Sequence, residues 1–76
     1  MSQNNIPLPS PEEIKKIQWA MIRAKRNKLL SKTDWTQLAD TPPNIKAFKV
    51  YRQKLREIPQ TYSNPDEVVW PEMPKL

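Results

Sequence analysis

The residues with most chemical reach gather at Ser31, Lys32 and Asp34, a hydroxyl, an amine and a carboxylate within four positions. An amine beside a hydroxyl is one way to activate a nucleophile. The rest of such a site is missing. The chain has no histidine for proton transfer, and no cysteine as nucleophile or thiolate metal ligand. With no glycine there is no glycine-rich loop to cradle a phosphate. The carboxylates show no paired arrangement, and 76 residues are too few to enclose a desolvated pocket around one. Ser31, Lys32 and Asp34 read instead as a helix end followed by a capped turn. No catalytic residue, cofactor or metal is expected.

Binding is the remaining chemistry, and charge gives its sign. Residues 15–56 hold twelve of the thirteen bases against two acids, Asp34 and Asp40, a net +10. The flanks are acidic, and the whole chain carries +5. The middle therefore favours an anionic partner, either nucleic acid or an acidic protein surface. A chain this short buries little surface and lacks a disulfide or zinc staple, so a partner or self-association is an expected source of stability. There is no secretory signal and no apolar run of about 18 residues, so neither export by a signal nor a membrane span is expected.

The elements that must position these charges are legible. Residues 1–9, with two prolines, read as an extended arm. Ser10-Pro11-Glu12-Glu13 starts a helix: Ser10 as N-cap, Pro11 at the first position, Glu13 closing a capping box. This first helix is expected over about Pro11 to Leu30. Its apolar residues split between two faces, Ile14, Ile17, Ala20, Met21 and Ala24 on one, and Trp19, Ile22, Leu29 and Leu30 on the other, among Arg23 and Arg26. Two faces imply packing on both sides; Trp19 can also lie under Arg23 as a cation–π pair. A second helix is expected from Thr41-Pro42 to Glu57 or Ile58, ended by Pro59. Phe48, Tyr51, Leu55 and Ile58 form its apolar arc; Lys46, Lys49, Arg52 and Arg56 form the opposite one.

In the connector, Thr33 or Asp34 can cap a short helical turn, with Trp35 and Leu38 on one side as a wedge against Leu29 or Leu30 and the Phe48–Tyr51–Leu55 arc. Beyond Pro59, Asn64-Pro65-Asp66 is a turn and Glu67–Trp70 an extended, β-prone segment. The expected fold is mainly α: a small two-helix hairpin over 10–58 with a short helical turn in its connector, and extended proline-rich arms over 1–9 and 59–76, the second anchored by Trp70.

Three blocks in order, "RNKLLSKTDWTQLAD", "YRQKLREIP" and "VVWPEMP", resemble the C-terminal module of phage tail assembly chaperones and tail-fibre assembly proteins. The resemblance rests on Arg26, Leu29, Leu30, Asp34, Trp35, Thr36, Gln37, Leu38, Tyr51, Arg52, Leu55, Arg56, Ile58, Trp70, Pro71 and Pro74, and covers about residues 22–76. Phe48 stands where the family usually has tryptophan. What the resemblance implies is a non-enzymatic assembly role, on a phage tail, tail-fibre or baseplate protein, in the host cytoplasm during assembly or in the virion tail. Trp19, Arg23, Arg26, Val68, Val69 and Trp70 are the candidate partner-binding residues, since tryptophan and arginine dominate interface hot spots and the tail can add a strand to a partner sheet. Leu30, Trp35, Leu38, Phe48, Tyr51 and Leu55 are the candidate wedge and core.

Two alternatives differ in class from a transient chaperone. One is a permanent structural component of the virion tail, with or without self-association. The other is a small basic nucleic-acid-binding protein. Against nucleic acid, a basic arc opposite an apolar one is ordinary for a solvated helix, and the connector exceeds the roughly 3–4-residue turn of a helix–turn–helix. The scattered apolar groups of the first helix also make it a poor membrane-surface helix.

Overall fold

Ser10 sets the first helix as its sequence requires. In the computed structural model, which describes residues 7–38 and 44–75, the Glu13 amide donates to Ser10 Oγ at 3.1 Å and the Ser10 amide to Glu13 Oε1 at 2.9 Å. Both bonds of the capping box are present, Pro11 occupies the first turn, and α1 runs Pro11–Lys32. The hydrogen bonds depress the Glu13 pKa below its ordinary 4.5, the Ser10 backbone amide contributing most and the hydroxyl next.

At Thr33 the chain leaves α1 and enters a 3-10 helix, Asp34–Gln37. This is the short turn expected in the connector, but Thr33 does not cap it with its side chain. Its hydroxyl turns back and donates to Leu29 O at 2.8 Å. Thr36 likewise donates to Thr33 O at 2.6 Å. At three residues per turn, Thr33 and Thr36 share one side of the 3-10 helix, and both are buried.

The second helix, α2, spans Ile45–Thr61 with Asn44 at its N-cap position. Thr41 and Pro42, expected to start it, lie outside the described residues. The expected stop at Pro59 is corrected: the helix passes through it. Pro59 removes one donor, that to Leu55 O. Only a few residues from the end, that loss is local, and the Tyr62 amide still closes the last turn on Ile58 O at 3.2 Å.

A short 3-10 helix, Pro65–Glu67, follows, with Asn64 Oδ1 accepting from the Asp66 amide at 3.0 Å. Gln18 Nε2 donates to Asp66 Oδ1 at 3.4 Å, which brings this turn against α1. From Val68 the chain runs without regular structure. Near its end Asn44 Nδ2 donates to Lys75 O. The tail therefore returns from the C-terminal end of α2 to the N-terminal end, lying along the hairpin as a strap.

The core sits between these three layers. Phe48, Tyr51, Leu55 and Ile58, the expected arc of α2, are all buried. Trp19, Ile22, Leu29 and Leu30 of α1 and Tyr62, Val68 and Trp70 of the tail pack on the Tyr51–Leu55–Ile58 cluster. Complete burial of one such side chain stabilises by about 1.5–3 kcal/mol. Of the two apolar faces of α1, the one bearing Trp19 faces the core. Ile14, Ile17 and Met21 remain exposed.

Candidate interaction surface

Arg52 is the residue that sequence reasoning misplaced. Assigned to the solvated arc, it is buried, with its side chain 7% exposed. Nη1 donates to Leu30 O at 2.6 Å and to Thr33 Oγ1 at 2.7 Å, and Nη2 to Asp34 Oδ1 at 2.8 Å. One guanidinium thus reads the end of α1, the C-cap threonine and the first residue of the 3-10 helix. Its rigid planar fork fits this task as an ammonium could not. A partial signal existed: at 100° per residue Arg52 borders the apolar arc of α2, as Lys54 does on the other edge, and Asp34 is one of only two acids in a basic segment.

The expected wedge is also redistributed. Trp35 is partly exposed and tilts against Phe48, ring centroids 6.0 Å apart at 60°. Leu38 is 64% exposed and stands outside the core. The reason is local: Leu38 has extended backbone (φ −79°, ψ 164°), so it leaves the 3-10 helix instead of stacking below Trp35. Thr33, Thr36 and Arg52 fill the side facing the hairpin. Leu30 is half-buried, and Phe48, Tyr51 and Leu55 are buried. Burial raises the Tyr51 pKa above its ordinary 10.0.

The six residues expected to meet a partner do not form one free patch. Trp19, Val68 and Trp70 are half-buried against the core. The Arg23 guanidinium lies 6.0 Å from the Trp19 ring centroid, the cation–π pair foreseen. Arg26 donates to Asn27 Oδ1 from Nε and Nη2 at 3.3 and 3.1 Å. Trp70 lies under Lys25 Nζ at 4.5 Å, a pair that sequence spacing could not reveal because 45 positions separate the two. Val69 points away from the core and is exposed, while its carbonyl accepts from Tyr62 Oη at 3.4 Å. Between α2 and the tail a shallow groove, lined by Lys54, Ile58, Tyr62, Val69 and Pro71, leads to a second, lined by Val50, Tyr51 and Pro74.

Among the described residues no group of three or more His, Cys, Asp or Glu gathers as a metal site. Among them, too, no helix is long and apolar enough to cross a membrane.

These features define a class: a helical hairpin, locked at its connector end by a buried arginine and closed along its length by its own extended tail. The comparison with protein families makes the class specific. Residues 19–75 match the model of the family described as phage tail assembly chaperone protein, and the chain belongs to that family. The matched span takes in α1 from Trp19, the connector, α2 and the strap. No curated protein and no solved structure matches the chain.

Proposed function

We propose that the chain acts without chemistry of its own, by contact with a phage tail, tail-fibre or baseplate protein whose folding or attachment it assists during assembly in the host cytoplasm. The observation that carries this reading is the family match, which runs through hairpin and strap together. Membership in a tail assembly chaperone family supports the general role; the surface supplies a way to perform it. Arg23 and Val69 are exposed beside Trp19 and Trp70. A partner reaching either ring would meet a basic rim, Arg23 at Trp19 and Lys25 at Trp70, the composition of an interface hot spot. The extended segment Val68–Trp70 can add its backbone to the edge of a partner sheet.

Co-expression with the tail, fibre and baseplate proteins of the same phage tests the reading. The expected result is a complex with one of them that weakens at least tenfold on Val69→Asp combined with Arg23→Glu, with helix content kept. A wild-type chain that binds none of these proteins would sink it. Mass spectrometry of purified particles then decides whether the chain departs after assembly or stays in stoichiometric copies.

A further inference from the structure

The hairpin has a side that the strap leaves uncovered. Lys25 over Trp70 and Gln18 on Asp66 mark where the strap meets α1. Lys54 lines both grooves between α2 and the tail. At 100° per residue, Lys16 and Arg23 lie about 140–180° around α1 from Lys25 and Gln18, and Lys49 and Arg56 about 140–160° around α2 from Lys54. Because the two helices run antiparallel, both pairs fall on the same side of the hairpin. All four are exposed, and none is in an ion pair: among the described residues Arg52–Asp34 is the only one. Within each pair the spacing is seven residues, two turns or about 10.5 Å. The bond from Arg52 to Leu30 O fixes the stagger of the helices, which spreads the four cations along about 25 Å. Between the two basic rims lie Trp19 and Leu30, both half-buried, and Arg26, whose guanidinium is turned to Asn27. Acids are peripheral: Glu12 stands one turn beyond Lys16, and Glu57 lies about 100° from Arg56 and accepts from Gln53 at 2.9 Å.

We propose that this side receives one acidic amphipathic helix of the partner, with an apolar stripe on Trp19 and Leu30 and a pair of Asp or Glu residues, seven positions apart, on each flank. The site rests on the proposed contact with a tail protein and gives that protein's contact segment its chemistry. The seven-residue spacing of the cations suits a helix: a third helix laid along the hairpin repeats at the same two turns and brings a carboxylate to each of them. The charge demands acids, and the forks of Arg23 and Arg56 can each hold a carboxylate through two parallel hydrogen bonds. A second copy of either helix would bring more bases to the same place. Nucleic acid would bring phosphates to the rims but nothing apolar to Trp19 and Leu30. A base could stack only on the open side of the Trp19 ring, where the Arg23 guanidinium already lies, 6.0 Å from the ring centroid.

A labelled helical peptide of about 18 residues, long enough for the track of cations, tests this on the purified chain without any tail protein. It carries a leucine stripe with glutamate on both flanks. Fluorescence anisotropy should show it binding at least ~10-fold more tightly than the same peptide with glutamine for glutamate, an advantage that shrinks with added salt. Lys49→Glu combined with Arg56→Glu should abolish that advantage. Lys28→Glu combined with Lys54→Glu, the same change of charge away from this side, should keep it, with both chains retaining the parent's circular dichroism spectrum. The complex with a tail protein should respond to the two pairs in the same way. A glutamine peptide that binds as well as the glutamate one, or equal effects of the two charge reversals, would overturn the site. So would tighter binding of a duplex DNA of about 12 base pairs, longer than the track at 3.4 Å per pair. A tail-protein complex that ignores Lys49→Glu with Arg56→Glu would overturn it too, and leave the assembly contact standing. Absence of any tail-protein complex, with the glutamate peptide still held here, would sink the assembly contact and uphold the site.

Discussion

Arg52 and Asp34 form one ion pair, yet removing the two partners should not cost the same. Arg52 gives two hydrogen bonds to neutral groups in a buried setting, Leu30 O and Thr33 Oγ1. A hydrogen bond from a charged donor contributes about 1.5–3 kcal/mol, and taking the lower figure for each gives roughly 3 kcal/mol. The third bond ends on Asp34, whose side chain is 66% exposed. Solvent screens it, and such pairs contribute about 0–1 kcal/mol. Leu30 O and Thr33 Oγ1 keep other partners when Arg52 is lost, Thr33 N and Leu29 O respectively. No large penalty for an orphaned group is therefore added. Arg52→Ala should lower stability by roughly 3 kcal/mol and Asp34→Ala by less than about 1 kcal/mol. In a domain of this size about 3 kcal/mol is a fall in Tm of about 12–24 °C. Urea unfolding followed by tryptophan fluorescence, with thermal melts by circular dichroism, measures both. Arg52→Lys should fall between them, keeping charge but losing the fork. If Asp34→Ala costs as much as Arg52→Ala, the node is an ion pair first and the account of Arg52 as the clamp on the end of α1 fails.

Three further outcomes follow from the packing and the titrating groups. Leu55 is fully buried at the centre of the core, so Leu55→Ala should cost about 2–5 kcal/mol in a urea titration; a loss below about 1 kcal/mol would mean the hairpin does not close on it. The Glu13 pKa is depressed, so its stabilising contribution is present above the ordinary 4.5 and is lost as pH falls through the folded value. An NMR titration should place Glu13 below 4.5, and Ser10→Ala, which removes the hydroxyl but keeps the backbone amide, should raise it only part of the way; an unshifted midpoint would deny the capping box in solution. Tyr51 is raised, so the stability tied to its neutral form is complete below pH 10.0 and declines as pH rises towards the folded value. Tyrosinate absorbance should show one late-titrating tyrosine, and Tyr51→Phe should remove it.

The local signals were the readable ones. Ser10-Pro11-Glu12-Glu13 specifies a helix start through atoms within one turn, and α2 announces its buried arc because one face alone is apolar. Helix α1 offers two apolar faces, and the period cannot say which is taken; Trp19, Ile22, Leu29 and Leu30 won because the tail and α2 converge there. Pro59 was misread because the rule against interior proline weakens in a last turn. Arg52 was misread because burial of a cation depends on acceptors 18–22 positions away. On the surface, Lys25 over Trp70 and the half-burial of Val68 are products of the strap's path, which no local pattern encodes. The blocks carrying the family resemblance were legible throughout, and the residues matched confirm it.

The strap has one more consequence, and it concerns the unfolded chain. It holds Pro65, Pro71 and Pro74, and the chain contains no glycine; among the described residues none takes a positive φ. Proline keeps φ near −65° whether or not the protein is folded. A segment so restricted has few conformations to lose when it lies down, and each compatible proline is worth about 0.4–1 kcal/mol on that account. The core is small, and the entropy it must offset is correspondingly reduced. Part of what holds the tail in place is thus not a contact at all, but the limited freedom of the tail when it is not there.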